Sequence, residues 1–207
     1  METVRHKENV RELVSFSTRD QIKKTLSYSP RIPTHQIDCE MHWIENEQLF
    51  KKELIQGFKW QLHVAKYLAK EGFEVDVPAL RIRESVQDIP EFADEPDILW
   101  EKKVFEVKSR KIRFNTPDEF PFQGIFVDTV KGWKEKKRKP DGYICVSTLT
   151  GSMICLSGKT HWRWNELRKH DGTRNISDWF YEADRRLWVP IEKMVEEMHS
   201  LVLSQGE

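Results

Sequence analysis

The stretch Pro96–Lys108, reading Pro-Asp-Ile-Leu-Trp-Glu-Lys-Lys-Val-Phe-Glu-Val-Lys, carries acids and an amine at a spacing that suits phosphate chemistry. Two short apolar runs, Ile98-Leu99-Trp100 and Val104-Phe105 with Val107, flank the charged Glu101-Lys102-Lys103, which is the pattern of a β-hairpin with a polar turn. If the second strand runs from about Val104 to Ser109, side chains alternate between its faces. Glu106 and Lys108 then share one face, and Phe105 and Val107 the other. Asp97, at the start of the preceding strand, reaches the same end of the hairpin and adds a second carboxylate. Oxygens of Asp97 and Glu106, with the Val107 carbonyl as a third, suit a hard divalent cation such as Mg²⁺ or Mn²⁺, and the Lys108 ammonium faces the attacking water or the scissile group.

Similar strings occur elsewhere but lack strands to present them. Pro117-Asp118 runs into Glu119-Phe120-Pro121, a loop sequence; Glu135-Lys136-Lys137 lies in a highly charged run; and Glu101-Lys102-Lys103 is the hairpin tip. Only Asp97 with Glu106 and Lys108 has apolar strand residues around both halves.

The elements around this hairpin follow from periodicity. Residues 45–71 read as a long helix, with Leu54, Phe58, Leu62, Ala65 and Leu68 at three- and four-residue steps and Gly72 as its stop. Gln61 falls at the edge of that face, one turn beyond Gly57. Phe73–Val77 alternates as a strand ending at Pro78, and Arg81–Arg83 and the acidic Asp88–Glu95 read as loop. Beyond Lys108, Ser109–Phe120 is a loop whose Arg110, Lys111 and Arg113, beside Phe114, suit phosphate contacts and base stacking. Phe122–Val127 reads as a short strand, and Thr129–Arg138 as a helix on which Lys131 and Lys134 share a face toward the cleft. Tyr143–Ser147 and Ser152–Leu156 form a second hairpin through Thr150-Gly151. In His161-Trp162-Arg163-Trp164 the two tryptophans read as core cover more readily than as base platforms, and a helix from about Ile191 to Leu203 closes the chain.

Pro96-Asp97 with Glu106-Val107-Lys108 resembles the PD-(D/E)XK nuclease superfamily. The likeness extends through Gln56-Gly57-Phe58-Lys59-Trp60-Gln61, Asp118–Phe122, Val127-Asp128, Trp133-Lys134 and Lys139–Tyr143, a set similar to small phage-type nuclease-like proteins, and covers about residues 45–165. The resemblance implies an α/β, restriction-endonuclease-like core in the order αβββαβ, a small mixed sheet flanked by helices. It also implies hydrolysis of DNA phosphodiester bonds with Mg²⁺ or Mn²⁺. Asp97 and Glu106 would hold the metal, with Lys108 orienting or helping to deprotonate the water. Where the superfamily's first core helix often places a glutamate, this chain has Gln61, counted with the catalytic set as a ligand to metal-bound water or phosphate; Glu47 lies further back on the same stripe. The rival reading is a noncatalytic nucleic-acid-binding or regulatory protein on such a fold, and nothing in the sequence separates DNA from RNA.

Composition bounds the rest. At 207 residues the chain is long enough for one domain with additions, and a net charge of zero argues against indiscriminate coating of nucleic acid. The balance is uneven: lysines and arginines crowd Lys102–Arg113 and Lys131–Lys139, and acids the last thirty residues. Cys39, Cys145 and Cys155 have no CxxC spacing, so neither a zinc ribbon nor a disulfide framework is expected, and His35, Cys39 and His42 lack a completing cluster. A polar N-terminus and the lack of a long apolar run point to the cytoplasm, the host's if the chain is phage-encoded. Residues 1–44 are expected as a helical arm (near 5–26) plus linker, suited to pack on the core or on a second copy in a homodimer. Residues 45–165 are expected as the core and 166–207 as a C-terminal helical extension packed on it.

Overall fold

The computed structural model describes residues 34–82, 96–171 and 176–204, with backbone alone for 34–47, 171, 176 and 202–204. The helix expected near 5–26, the acidic segment 88–95, and the side chains of His35, Cys39, His42 and Glu47 lie outside the described residues. Contacts divide the chain into two compact units, 1–48 and 49–207. The fold is mixed α/β.

Helix α1 spans Thr34–Lys70, so it starts earlier than expected. The linker expected before residue 45 is helical from Thr34 on, because Thr34–Ile44 contains neither Gly nor Pro to interrupt it. Glycine ends it. Gly72 takes φ +90°, its N–H donates to the Ala69 carbonyl and that of Phe73 to Leu68, which satisfies two of the last carbonyls of the helix. The buried stripe consists of Val64 and Leu68 with Trp60 and Tyr67 beside them, whereas Leu62, expected on that face, is exposed.

Strands β1 (Val75–Asp76), β2 (Ile98–Trp100) and β3 (Lys103–Arg110) form an antiparallel meander. The β2–β3 turn is only Glu101-Lys102, with φ of 48° and 64°, the left-handed geometry that a two-residue hairpin needs. Strand β4 (Gly124–Thr129) and helix α2 (Val130–Glu135) then cross over to β5 (Gly142–Ser147), which pairs with β3 in parallel. A parallel pair requires such a crossover, and this one carries Asp128 and Lys136. At the start of β5 a side chain would not fit: a Cβ on Gly142 would lie 2.5 Å from the Phe105 ring.

β6 (Met153–Ser157) returns antiparallel to β5 through a turn whose Gly151 has φ +79°. The chain then forms the hairpin β7 (Asn165–Asp171) and β8 (Ile176–Asp184), adds β9 (Trp188–Pro190) and ends in α3 (Ile191–Ser204). The main sheet is six-stranded and mixed, in the order β1-β2-β3-β5-β6-β9, and a second sheet has the order β4-β8-β7. The C-terminal part expected to be helical from residue 166 is therefore strand-rich up to Pro190. Tyr181 and Ala183 are buried between less buried neighbours, a period of two that only a strand accommodates.

Each face of the main sheet has its own core. Phe105, Ile144, Val146 and Cys155 pack with Val64 and Leu68 of α1 and Ile191, Val195 and Met198 of α3. On the opposite face Tyr143, Cys145, Ile154 and Leu156 pack with Ile125 and Val127 of β4, Tyr181 and Ala183 of β8, and Trp164. Trp164 sits edge-on to Tyr143, at 5.6 Å between ring centroids, and Trp133 stacks on His161 at 4.4 Å. Trp162, by contrast, is 77% exposed, so the expectation of core cover holds for only one of the two tryptophans.

Candidate catalytic centre

Strand β3 presents the site because its backbone and side chains have separate tasks. Even-numbered residues turn their peptide groups toward β5: Asp141 N–H donates to the Val104 carbonyl and Thr148 N–H to that of Arg110. Odd-numbered peptide groups therefore face the opposite edge, where β2 begins only at Ile98. At that edge the Val107 N–H donates instead to the Asp97 carboxylate at 2.7 Å. The Val107 carbonyl leaves the strand on the same side, so it accompanies Asp97.

Asp97 holds the corner between the two faces. Its other oxygen accepts from Gln61 Nε2 at 2.6 Å, linking α1 to the hairpin. Glu106 and Lys108 project from β3 on the face carrying Tyr143, their neighbours across the ladder being Tyr143 and Cys145. Lys108 Nζ donates to Glu106 Oε2 at 2.9 Å, and Lys136 Nζ to Oε1 at 3.0 Å. The same Lys136 ammonium lies 3.9 Å from Asp128 Oδ2. Tyr143 donates its hydroxyl to Asp128 at 3.5 Å, a long bond.

The structure thus brings together Gln61, Asp97, Glu106 and Lys108, the residues singled out from sequence, and adds Asp128, Lys136 and Tyr143. Sequence reasoning picked Lys131 and Lys134 from the same basic run because they lie one helical step apart. Both point elsewhere: Lys131 lies near Glu135 at 4.0 Å and Lys134 near Glu166 at 3.4 Å, and with Asp178 and Trp179 they line an open cavity of about 520 Å³. Lys136 succeeds because it is the residue that ends α2, where the chain leaves the helical direction. The signal available in sequence was Asp128 at the end of a strand, followed eight residues later by a lysine.

Electrostatics tie the group together. Burial raises the Asp97 carboxyl, nearby Glu106 raises it further, and Lys108, the Val107 N–H and Lys136 offset only part, leaving it at about 6. For Glu106 burial also pushes upward, but Lys108 and Lys136 outweigh it and hold the carboxyl below its usual range. Burial opposes the Lys108 charge, yet Glu106, Asp97 and Asp128 prevail and keep the ammonium more firmly protonated than usual. Burial, then Asp128 and Glu106, push the Tyr143 hydroxyl up, so it stays a neutral donor. Three carboxylates face two ammonium groups, and one proton on Asp97 makes the cluster neutral.

Among the described residues no three His, Cys, Asp or Glu side chains form a ready-made metal centre. The donor chemistry nevertheless fits one hard cation at Asp97, Glu106 and the Val107 carbonyl. Each carboxylate oxygen of Asp97 and Glu106 has one hydrogen-bond donor, so lone pairs remain. A cation would also offset the burial and the Glu106 repulsion that together lift Asp97.

Beyond Lys108, the loop expected to meet phosphates is pinned from below. Ser147 Oγ donates to the Ile112 carbonyl and Thr150 Oγ1 to that of Phe114, both at 2.7 Å, while Lys111 and Arg113 alternate outward and are exposed. Arg110 is half-buried, near the Phe126 carbonyl at 3.5 Å. No helix among the described residues is long and apolar enough to cross a membrane. Compared with protein-family models, curated proteins and solved structures, the chain matches none.

Proposed function

We propose that this chain is a metal-dependent nuclease hydrolysing DNA phosphodiester bonds, with Mg²⁺ or Mn²⁺ at Asp97, Glu106 and the Val107 carbonyl, on a restriction-endonuclease-like core. The observation that carries the reading is the electrostatic grouping of Asp97, before β2, with Glu106 and Lys108 of β3, Asp97 held by Gln61 and by the Val107 N–H. Bound there, a divalent ion supplies a more acidic water and charge stabilisation at the phosphate oxygens. The rest of the work falls to the chain. Lys108, held beside Glu106 at 2.9 Å, orients the attacking water or helps to deprotonate it and offsets developing charge. Asp97, whose carboxyl lies near 6 in the absence of an ion, would give up its proton as the cation binds and serve as an ionised ligand. Lys111 and Arg113, exposed on a pinned loop directly after the site, supply phosphate contacts.

Purified protein incubated with single-stranded, duplex and branched DNA, and with RNA, each with Mg²⁺, Mn²⁺ or EDTA, tests the reading. Cleavage requiring metal, and falling to background in Asp97→Ala and in Glu106→Ala, is expected. Binding without cleavage under every metal condition would replace it by the noncatalytic nucleic-acid-binding reading.

A further inference from the structure

Lys136 is in the wrong place for an ordinary surface lysine. Its side chain is only 16% exposed, that of Glu106 8% and that of Asp128 14%. A charge taken that far out of water is tolerated only when it is paired. Its ammonium lies between two carboxylates, at 3.0 Å from Glu106 Oε1 and 3.9 Å from Asp128 Oδ2, while the other Glu106 oxygen belongs to Lys108.

The backbone under Lys136 is fixed independently of those carboxylates. Lys136 caps α2 with its N–H on the Gly132 carbonyl at 3.2 Å. Lys139 then folds back, and its ammonium takes the carbonyls of Trp133, Lys134 and Lys136 at 2.6, 2.9 and 2.7 Å, lying 4.7 Å from the centre of the Trp133 ring. At the other end of α2, Thr129 Oγ1 accepts from the Gly132 N–H, which fixes the turn just after Asp128. Asp128 and Lys136 thus flank the same short helix, whose backbone is tied at both ends. An ion pair made opportunistically has no need of such support.

Two-metal phosphoryl-transfer sites place their ions roughly 3.5–4 Å apart, bridged by a shared carboxylate. Here Glu106 lies between Lys108 and Lys136, and on its Asp128 side the space between the two carboxylates is filled by the Lys136 ammonium. We propose that Lys136 is a tethered cation standing in for a second metal ion, so that the centre takes one divalent ion, with Glu106 and Asp128 as the pair that would otherwise hold another. This rests on the metal reading above, and it gives Asp128 a defined task as the carboxylate that keeps the ammonium in place.

The test is a Mn²⁺ titration of the full chain at pH 8, with free Mn²⁺ followed by electron paramagnetic resonance and folding by circular dichroism. The wild-type chain is expected to take one Mn²⁺. Lys136→Met, which removes the charge and keeps most of the apolar stem, is expected to take two, and to return to one when combined with Asp128→Asn; Lys136→Arg keeps one. Should Lys136→Met not fold, Lys136→Gln, which can still donate to Glu106, replaces it. Two ions in the wild type, or one ion in the charge-removing variants, would overturn the assignment while leaving the metal reading standing. No Mn²⁺ bound by any of these proteins would overturn both.

Discussion

Asp97 spends its two oxygens on Gln61 and the Val107 N–H, so an asparagine can replace it with both bonds kept once the Gln61 amide turns over. The charge is what cannot be kept cheaply. With the folded carboxyl at about 6 against an ordinary 3.8, the folded chain holds this proton more tightly than the unfolded chain. The stability it contributes is complete below about pH 3.8 and disappears as pH rises through 6. Metal-free Asp97→Asn should therefore be more stable than wild type at pH 8, by on the order of 3 kcal/mol, with the gap closing below pH 4. Urea unfolding at the two pH values measures it, and an equal gap at both would mean that Asp97 is not the strained charge. Glu106 works with the opposite sign: its lowered carboxyl contributes stability above its unfolded value and loses it as pH falls. At this scale the sequence was legible wherever alternation alone decides geometry, as for Glu106 and Lys108. It was silent on Lys136, whose direction depends on a helix ending at Glu135.

The β2–β3 hairpin shows what an element tolerates to fix such a site. Glu101 and Lys102 both adopt left-handed φ, which costs a residue with a Cβ about 1 kcal/mol or more, and neither is the Gly or Asn that such turns favour. External bonds hold them: Glu101 exchanges bonds with the Glu74 backbone through its N–H and its carboxylate, and the Lys102 carbonyl accepts from Arg138 at 2.9 Å. The Lys102 side chain is exposed. Lys102→Gly should stabilise the chain by about 0.5 kcal/mol, the relief of strain less the entropy of glycine, whereas Lys102→Val should cost about 1–2 kcal/mol because a branched Cβ suits that φ poorly. Denaturant midpoints of the two variants check this, and the same direction of change in both would contradict the strain argument. The hairpin was readable from its apolar runs, but its tip was expected at Glu101-Lys102-Lys103. The turn is tighter because pairing Trp100 with Lys103 leaves only two residues to close it.

For the whole molecule, the stretch carrying the recognisable residues is not a unit that can stand alone. The motifs end near residue 165, yet the main sheet is completed by β9, which pairs Trp188, Val189 and Pro190 with Leu156, Cys155 and Ile154 of β6. Strand β8 pairs with β4 from Gly124 to Thr129, next to Asp128, and Ile191, Val195 and Met198 of α3 belong to the core beneath Phe105 and Ile144. These contacts were hidden in the sequence because each joins residues far apart in the chain, and the aromatic stretch Trp179–Trp188 has no local period long enough to reveal two sheets at once. A chain cut after Asn165 would bare Tyr143, Leu156 and Trp164 on one face and Val64, Leu68 and Ile144 on the other. Each large apolar side chain uncovered forfeits about 1.5–3 kcal/mol, against a total stability of only about 5–15 kcal/mol for a typical domain. The fragment 1–165 should therefore fail to unfold cooperatively and should bind a hydrophobic dye in native buffer, while a chain ending at Ser204 should unfold in one sharp transition. A cooperative, dye-free 1–165 would show that the strands and helix after Asn165 are ornament, and that the site rests on the motif-bearing segment alone.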